Sequence, residues 1–366
     1  TSEFNLTAGD LGLLAGGYFL GFASMQIPLG YLLDKHGPKK IVSSFLLIAI
    51  IGATAFSLAE SFAGLLISRI LIGVGVSACL MGPLTGYRIW FADEYQQRAN
   101  AWMLMILSMG FVFSTLPVQI LLPIIGWRWI FSGIAILILI IILLTLLFIP
   151  PWKNKINNDQ KKNNGSLSDV WKNKFFISTI PLGLFNYGGM IAIQTLWAGP
   201  WMVRISGYTP LESATGLFWI NGTMLVSFFI FGYILPKITK LGFKTMRLMK
   251  IGLPISYLSL LVIIISGENA GTIHFTIYIL TSIVLTLTQP AVALSFPTNL
   301  AGKSLTSFNL LIFVGTFIMQ WGIGLVIDLS RYLKNDETQS FQISFTVYLI
   351  ICILSYSYFV MKNKNE

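Results

Sequence analysis

Arg69 is the residue whose surroundings most demand a chemical explanation. It stands in the apolar run from Phe62 to Trp90, seven positions after Phe62. As a helix, that run places its guanidinium roughly 10 Å along the axis at 1.5 Å per residue. A charge at such depth in apolar surroundings persists where it faces a cavity or a partner. The other reactive side chains are scattered. His36 and His274 are the two histidines, Cys79 and Cys352 the two cysteines, and none has metal-ligand or redox spacing. Both cysteines fall within apolar runs and read as small core residues. All 14 carboxylates lie outside the long apolar runs, so no acid is placed to neutralise Arg69 in a fixed ion pair. An active site needs clustered acids, histidines or a nucleophile beside a base. Nothing of the kind is present, so no enzyme, catalytic residue, cofactor or metal site is expected.

The elements that must position Arg69 follow from composition. Of 366 residues, 55% are hydrophobic and 10% charged, with a mean hydropathy of +0.76. Soluble domains carry roughly 25% charged residues, and a bilayer core asks for roughly 20 apolar residues per helix. Apolar runs of that length follow one another at 11–33, 41–59, 62–90, 101–125, 129–149, 175–203, 216–235, 246–266, 273–296, 307–327 and 341–361. The expected class is therefore an all-α polytopic membrane protein with eleven spans. A net charge of +10 does not point to nucleic acid, because 19 of the 24 lysines and arginines fall in the connections on one side. By the positive-inside rule that side is cytoplasmic, which puts residue 1 outside and the C-terminus inside. Residues 150–174 are polar and aperiodic, a cytoplasmic linker between a bundle at 1–149 and a second at 175–366.

An internal repeat accounts for five helices against six. Gly30-Tyr-Leu-Leu-Asp34-Lys35 and Gly232-Tyr-Ile-Leu-Pro236-Lys237 align at an offset of 202, which also pairs Thr7 with Thr209 and Asp10 with Glu212. Thr7 with Asp10, and Thr209 with Glu212, are capping boxes, a hydroxyl and an acid three residues later serving the first free amides of a helix. The same offset sends the counterpart of the 175–203 helix to positions before residue 1. A first transmembrane helix is thus expected to be missing from the chain, leaving a groove in its place.

The run Gly30-Tyr-Leu-Leu-Asp34-Lys35-His-Gly37-Pro-Lys39-Lys40 resembles the signature between helices 2 and 3 of the major facilitator superfamily. Arg69, Gly73 and Gly75 are similar to that family's helix 4 signature, and Gly126-Trp127-Arg128-Trp129-Ile130-Phe131 to its entry into helix 6. The resemblance implies a fold of two pseudo-symmetric helical bundles, here with eleven of twelve transmembrane helices, that moves solute by alternating access. It implies that Gly30, Asp34, Gly37, Lys39 and Lys40 form a conformational latch, Gly30 allowing close helix approach and the acid serving a neighbouring amino terminus. In the repeat Pro236 replaces the acid, which weakens or removes a second latch. Helix 5 lacks the glycine-proline pattern of proton-driven exporters, which favours uptake.

Family architecture lines the cavity with helices 1, 4, 7 and 10. The substrate candidates are then Arg69, Asn186, Tyr187, Gln194, Trp197, Trp201, Tyr278, Thr281 and Gln289, with Asn309 and Gln320 from helix 11. Each has a structural alternative. Trp197 and Trp201 suit an outer aromatic belt; Asn186, Gln194 and Asn309 suit interhelical bonding; Gln289 can serve the backbone freed by Pro290. His274 is placed at the membrane interface. By the resemblance, Arg69 assists proton transfer or binds an anionic group. The expected function is secondary transport of a small hydrophilic organic solute across a bacterial inner membrane, as uptake coupled to protons or another ion. Export of a drug-like compound or siderophore, and a non-transporting receptor or fragment, are the alternatives. The expected partners are the substrate, the bilayer and the coupling ion, around a monomer.

Overall fold

A computed structural model describes residues 3–150, 166–240 and 245–364. Every regular element among them is helical. Helix α1 (Ala8–Ser24) opens on the Thr7–Asp10 capping box and is followed, after Met25, by α2 (Gln26–His36) at a bend of 44°. Gly37 then turns the chain with φ of +79°, and Pro38 takes the first position of α3 (Pro38–Ser57). That left-handed φ is open to glycine and costly for residues with a Cβ. Ser61 caps α4 (Phe62–Val76), and α5 (Ala78–Trp90) follows a break at Ser77.

The first half ends in α6 (Asp93–Phe113) and α7 (Leu116–Phe148). After a short α8 (Leu167–Lys172) come α9 (Lys174–Arg204), α10 (Pro210–Lys240), α11 (Thr245–Ser266), α12 (Thr272–Leu294), α13 (Thr298–Tyr332) and α14 (Glu337–Lys362).

Counting α4 and α5 as one stretch, Phe62–Tyr87, nine helices among the described residues are long and apolar enough to cross a membrane, or ten when the bent α1–α2 pair counts as one span. The expected count of eleven differs from this over 93–148. There α6 begins on the polar residues Asp93 and Glu94 and stops at Phe113, while α7 runs on past Gly126, whose φ of +74° is the one non-helical point inside it. The chain therefore bends both at Ser114–Thr115 and at Gly126. Residues 151–165 lie outside the described part, but Ser166 and Asp169 form a capping box that starts α8, and Val170 is fully buried beside Phe176 and Phe296. The second expected capping box also forms, with the Thr209 amide 2.8 Å from Glu212 and the Glu212 amide 3.2 Å from the Thr209 hydroxyl.

Glycine decides how the helices approach. In a membrane, association rests on packing, and small residues let backbones meet. Gly12 and Gly16 of α1 face the Gln320 carbonyl and the Phe317 ring of α13, while Gly17 and Gly21 face Leu66 and the Ile70 carbonyl of α4. The contact is reciprocal: Gly73 of α4 meets the Tyr18 carbonyl, and Gly324 of α13 meets the Ala8 carbonyl. Helix α13 also receives α9, where Gly315 meets the Leu184 carbonyl. The aromatic core is concentrated in the second half, with Trp197, Trp201, Phe275, Phe341, Phe345 and Tyr348 all nearly or fully buried. The long α7 instead turns Ile136, Leu137, Leu143 and Leu147 outward, as lipid contact requires.

A methyl group added where two backbones touch should act as a wedge. Gly73→Ala is expected to destabilise the protein by about 1–3 kcal/mol. Gly222→Ala, in α10 with no atom within 4 Å of the new carbon, should be neutral or stabilising by up to about 1 kcal/mol. Thermal unfolding of the two variants in detergent checks the contrast.

Candidate functional site

Arg69 lies on α4 between two rings. Its guanidinium carbon is 5.9 Å from the centroid of Tyr18 on α1 and 5.9 Å from that of Phe56 on α3. Phe56 is held in turn by Phe131 at 4.2 Å and Trp127 at 5.5 Å. The glycine contacts with α1 bring Tyr18 over α4, so the Gly73 and Gly75 that follow Arg69 serve the same arrangement, Gly75 by admitting Ala49 of α3. Among the described residues Arg69 makes no ion pair. Aromatic faces replace part of its hydration, and its fork of five N–H donors is left for a further acceptor. Arg69 and Tyr18 are half-buried and Cys79 is exposed. Cys79 is therefore not the core residue expected from its apolar run; Cys352 is. The difference arises because α5 starts a new helix at Ala78, which is itself fully buried, and the next side chain is turned away from that packing.

The tryptophan and arginine of the helix 6 entry have a structural task. Arg128 pairs with Glu3 at 2.7 Å and donates to the Ala59 carbonyl at 3.3 Å, while Trp127 Nε1 donates to Glu3 at 2.9 Å. The Arg128 hydrogen bond, followed by that of Trp127, holds the Glu3 carboxyl below the usual carboxylate range.

At the far end of α2 the latch residues differ in exposure, with Gly37 buried in the turn and Gly30 exposed. Among the described residues, no atom beyond its own helix and chain neighbours lies within 4 Å of where a Cβ of Gly30 would be; the tight glycine approaches are those of α1. Asp34 and Lys40 are exposed and Lys39 is half-buried beside the Gly37 turn.

Several candidates of the second half lie in or beside segments that depart from α geometry. Helix α9 contains two π segments, Leu182–Tyr187 and Ile193–Trp197, and α12 contains a 3-10 segment, Ser282–Leu287. Such irregular turns often occur at functional sites. Asn186 and half-buried Tyr187 belong to the first π segment, Gln194 and Trp197 to the second, and Thr281 and Gln289 flank the 3-10 turn.

Most of these polar groups are spent on neighbouring helices. Asn186 accepts from the Tyr257 hydroxyl at 2.7 Å and donates to Ser355 at 2.8 Å. Gln194 donates to Asn221 at 2.8 Å, Thr281 bonds Ser259 at 2.9 Å, Gln289 donates to Asn309 at 2.7 Å, and Tyr278 meets the Tyr348 hydroxyl at 3.0 Å. Trp197 and Trp201 form no outer belt. They are 1% and 0% exposed, donating to the Gln320 and Gly267 carbonyls. The inward face of α9 carries them into the aromatic core. Gln320 donates to Thr195 at 3.0 Å, and its buried Oε1 has no partner among the described residues. His274 accepts from the Gly271 amide at 3.2 Å and so closes the start of α12.

Sequence reasoning missed Tyr18 and Phe56, the rings that hold Arg69, and Thr195, Tyr257, Asn221 and Ser355, the partners of the amides. Asn221 carried a signal, an amide inside an apolar run; the rings carried none. A recess of about 390 Å³ lined by Asn335, Gln339, Gln342, Ile343, Thr346 and Val347 opens beside the start of α14 and holds none of the candidates.

Comparison with known proteins agrees with this architecture. The family model described as Major Facilitator Superfamily matches residues 1–320. The Quinolone resistance protein NorA of Staphylococcus aureus is 27% identical over 204 residues, 54% of this chain and 50% of NorA. The chain thus spans about half the length of the curated relatives it matches. A bacterial homologue of the human lysosomal transporter Spinster, solved in an inward-facing and unoccupied conformation, superimposes with a TM-score of 0.75 at 16% identity, covering 99% of this chain and 90% of that one. A D-xylose-proton symporter superimposes with a TM-score of 0.74 at 13% identity, covering 97% and 88%.

The buried amides can be separated from substrate contacts by a double-mutant cycle. Asn186→Ala and Tyr257→Phe should each lower stability, with a coupling of about 0.6 kcal/mol, up to about 1.7, as measured for interhelical hydrogen bonds in membranes. A coupling of zero in thermal or denaturant unfolding would show that the pair does not hold α9 to α11.

Proposed function

We propose, from the premise that this chain belongs to the major facilitator superfamily, that it is a secondary active transporter of a small hydrophilic organic solute. It moves that solute by alternating access, as uptake coupled to protons or another ion, across a bacterial inner membrane, with residue 1 outside and the C-terminus in the cytoplasm. The observation that carries the reading is Arg69, a guanidinium in an apolar helix clasped by Tyr18 and Phe56, with no acid paired to it among the described residues. Such a group is suited to an anionic substrate group or to assisting proton transfer. The cation-excess loops support the orientation, and the neighbour named as a D-xylose-proton symporter supports proton-coupled uptake. In this reading Gly30, Asp34, Gly37, Lys39 and Lys40 bias one conformation, while Tyr187, Gln194, Thr281, Gln289 and Gln320 contribute to the cavity wall when the halves move apart. Export is the second reading, favoured by the match to a quinolone resistance protein over 204 residues.

Transport in proteoliposomes tests the first reading and its direction. Under an imposed proton gradient, Arg69→Gln is expected to slow solute movement at least about tenfold, the loss of one charge-assisted contact, and Arg69→Lys to change its pH dependence. Wild-type rates in both variants would reduce Arg69 to a structural residue. For the latch, Asp34→Asn should slow transport more than it weakens substrate binding; equal losses in both would place Asp34 in binding instead.

A further inference from the structure

The first turn of α1 is completed by a residue 320 positions away. A helix begins with amides that have no partner within it. Thr7 and Asp10 satisfy two through their capping box, each amide 3.1 Å from the other's side chain. The amides of Ala8 and Gly9 instead donate to the two carboxylate oxygens of Asp328, at 3.1 and 2.6 Å. Asp328 lies on α13, in the other half of the chain. It therefore meets both the free N–H groups and the positive end of the α1 dipole. Arg331, one turn on, bonds Asp328 at 3.2 Å and grips Glu337 through Nε at 2.8 Å and through Nη2. Glu337 also takes Arg204 at the end of α9, at 3.3 Å. The acid at the helix start is thus anchored to the ends of three helices of the second half.

Immediately beside this network the backbones touch. Gly324 meets the Ala8 carbonyl, and Gly9 lies with its missing Cβ 2.9 Å from Asp328 Oδ2 and 3.2 Å from Leu325. At the opposite end of the same bent span, a Cβ added at Gly30 would meet no other part of the described residues within 4 Å.

We propose that Asp328 is a reversible clasp between the two halves, closing the end of the molecule where α1 begins by capping α1 from α13, with Arg331 and Glu337 holding the carboxylate in place. The inference rests on the alternating-access reading above, in which this end must part once per cycle. The capping geometry gives the clasp its reversibility. When α13 withdraws, water takes the two amides and the carboxylate, and Thr7 and Asp10 keep the rest of the α1 start intact. A carboxylate at a helix start is a small bias, suited to shifting a two-state equilibrium rather than locking it.

Spin-label distances across this end test the clasp. The exposed residues Leu58 in the first half and Ile273 in the second, both 73% exposed, are replaced by labelled cysteines in a Cys79→Ala background of the full chain in nanodiscs. Asp328→Asn keeps the shape and removes the charge, and is expected to raise the fraction with separated ends several-fold, on the order of tenfold. Gly324→Ala, whose new methyl meets the Ala8 carbonyl, should separate the ends by a steric route. A shift in Gly324→Ala with none in Asp328→Asn overturns the clasp and leaves alternating access standing. No shift in either variant overturns both.

Discussion

A buried backbone has no water to bond with inside a bilayer, so two transmembrane helices can come fully together only where neither offers a side chain to hold them apart. The contact of α1 with α13 is the place where this constraint governs the molecule. Helix α1 devotes one line of glycines to α13 and another to α4, so its small cross-section joins its own bundle to the opposite one. The ring of Tyr18 reaches Arg69 because α1 lies this close to α4. The alignment of Asp328 with the first turn of α1 depends on the same approach. A larger residue at Gly12, Gly73 or Gly324 displaces all of these together.

The two halves use polarity differently. In the first, one arginine is held by rings and makes no ion pair among the described residues, an arrangement that leaves binding capacity available. In the second, amides and hydroxyls are largely paired with each other, tying α9 to α10, α11, α13 and α14. The π segments of α9 carry three of the amide and tryptophan donors in these pairs, Asn186, Gln194 and Trp197. A π turn rotates the following residues around the helix, which lets a single helix aim polar groups at partners on several sides. The second half is a frame whose helices are tied by mostly paired polar groups, while the first half holds an arginine between two rings.

Several features of the fold were legible in the residues alone. Apolar runs located the helices because a bilayer allows little else. The paired Thr7–Asp10 and Thr209–Glu212 boxes marked two helix starts because capping is local chemistry, complete within four residues. The left-handed turn at Gly37 and the break at Gly126 likewise follow from residues that tolerate such angles. The divided α6–α7 region was less legible, since Ser114 and Thr115 bond back to the carbonyls of Phe111 and Val112 and end a helix within a continuous apolar run.

What the sequence determined by itself is the class of the protein, the presence of an uncompensated arginine inside it and the helix starts, because depth in a membrane and first-turn capping are set by residues adjacent in the chain. Only the tertiary structure decided which side chains meet. It turned Trp197 and Trp201 from an expected belt into the aromatic core, exposed Cys79, left Gly30 without a close neighbour among the described residues and brought Asp328 to the start of α1. These outcomes depend on rotation of one helix against another, a quantity fixed by packing between residues far apart in sequence and therefore absent from any local pattern.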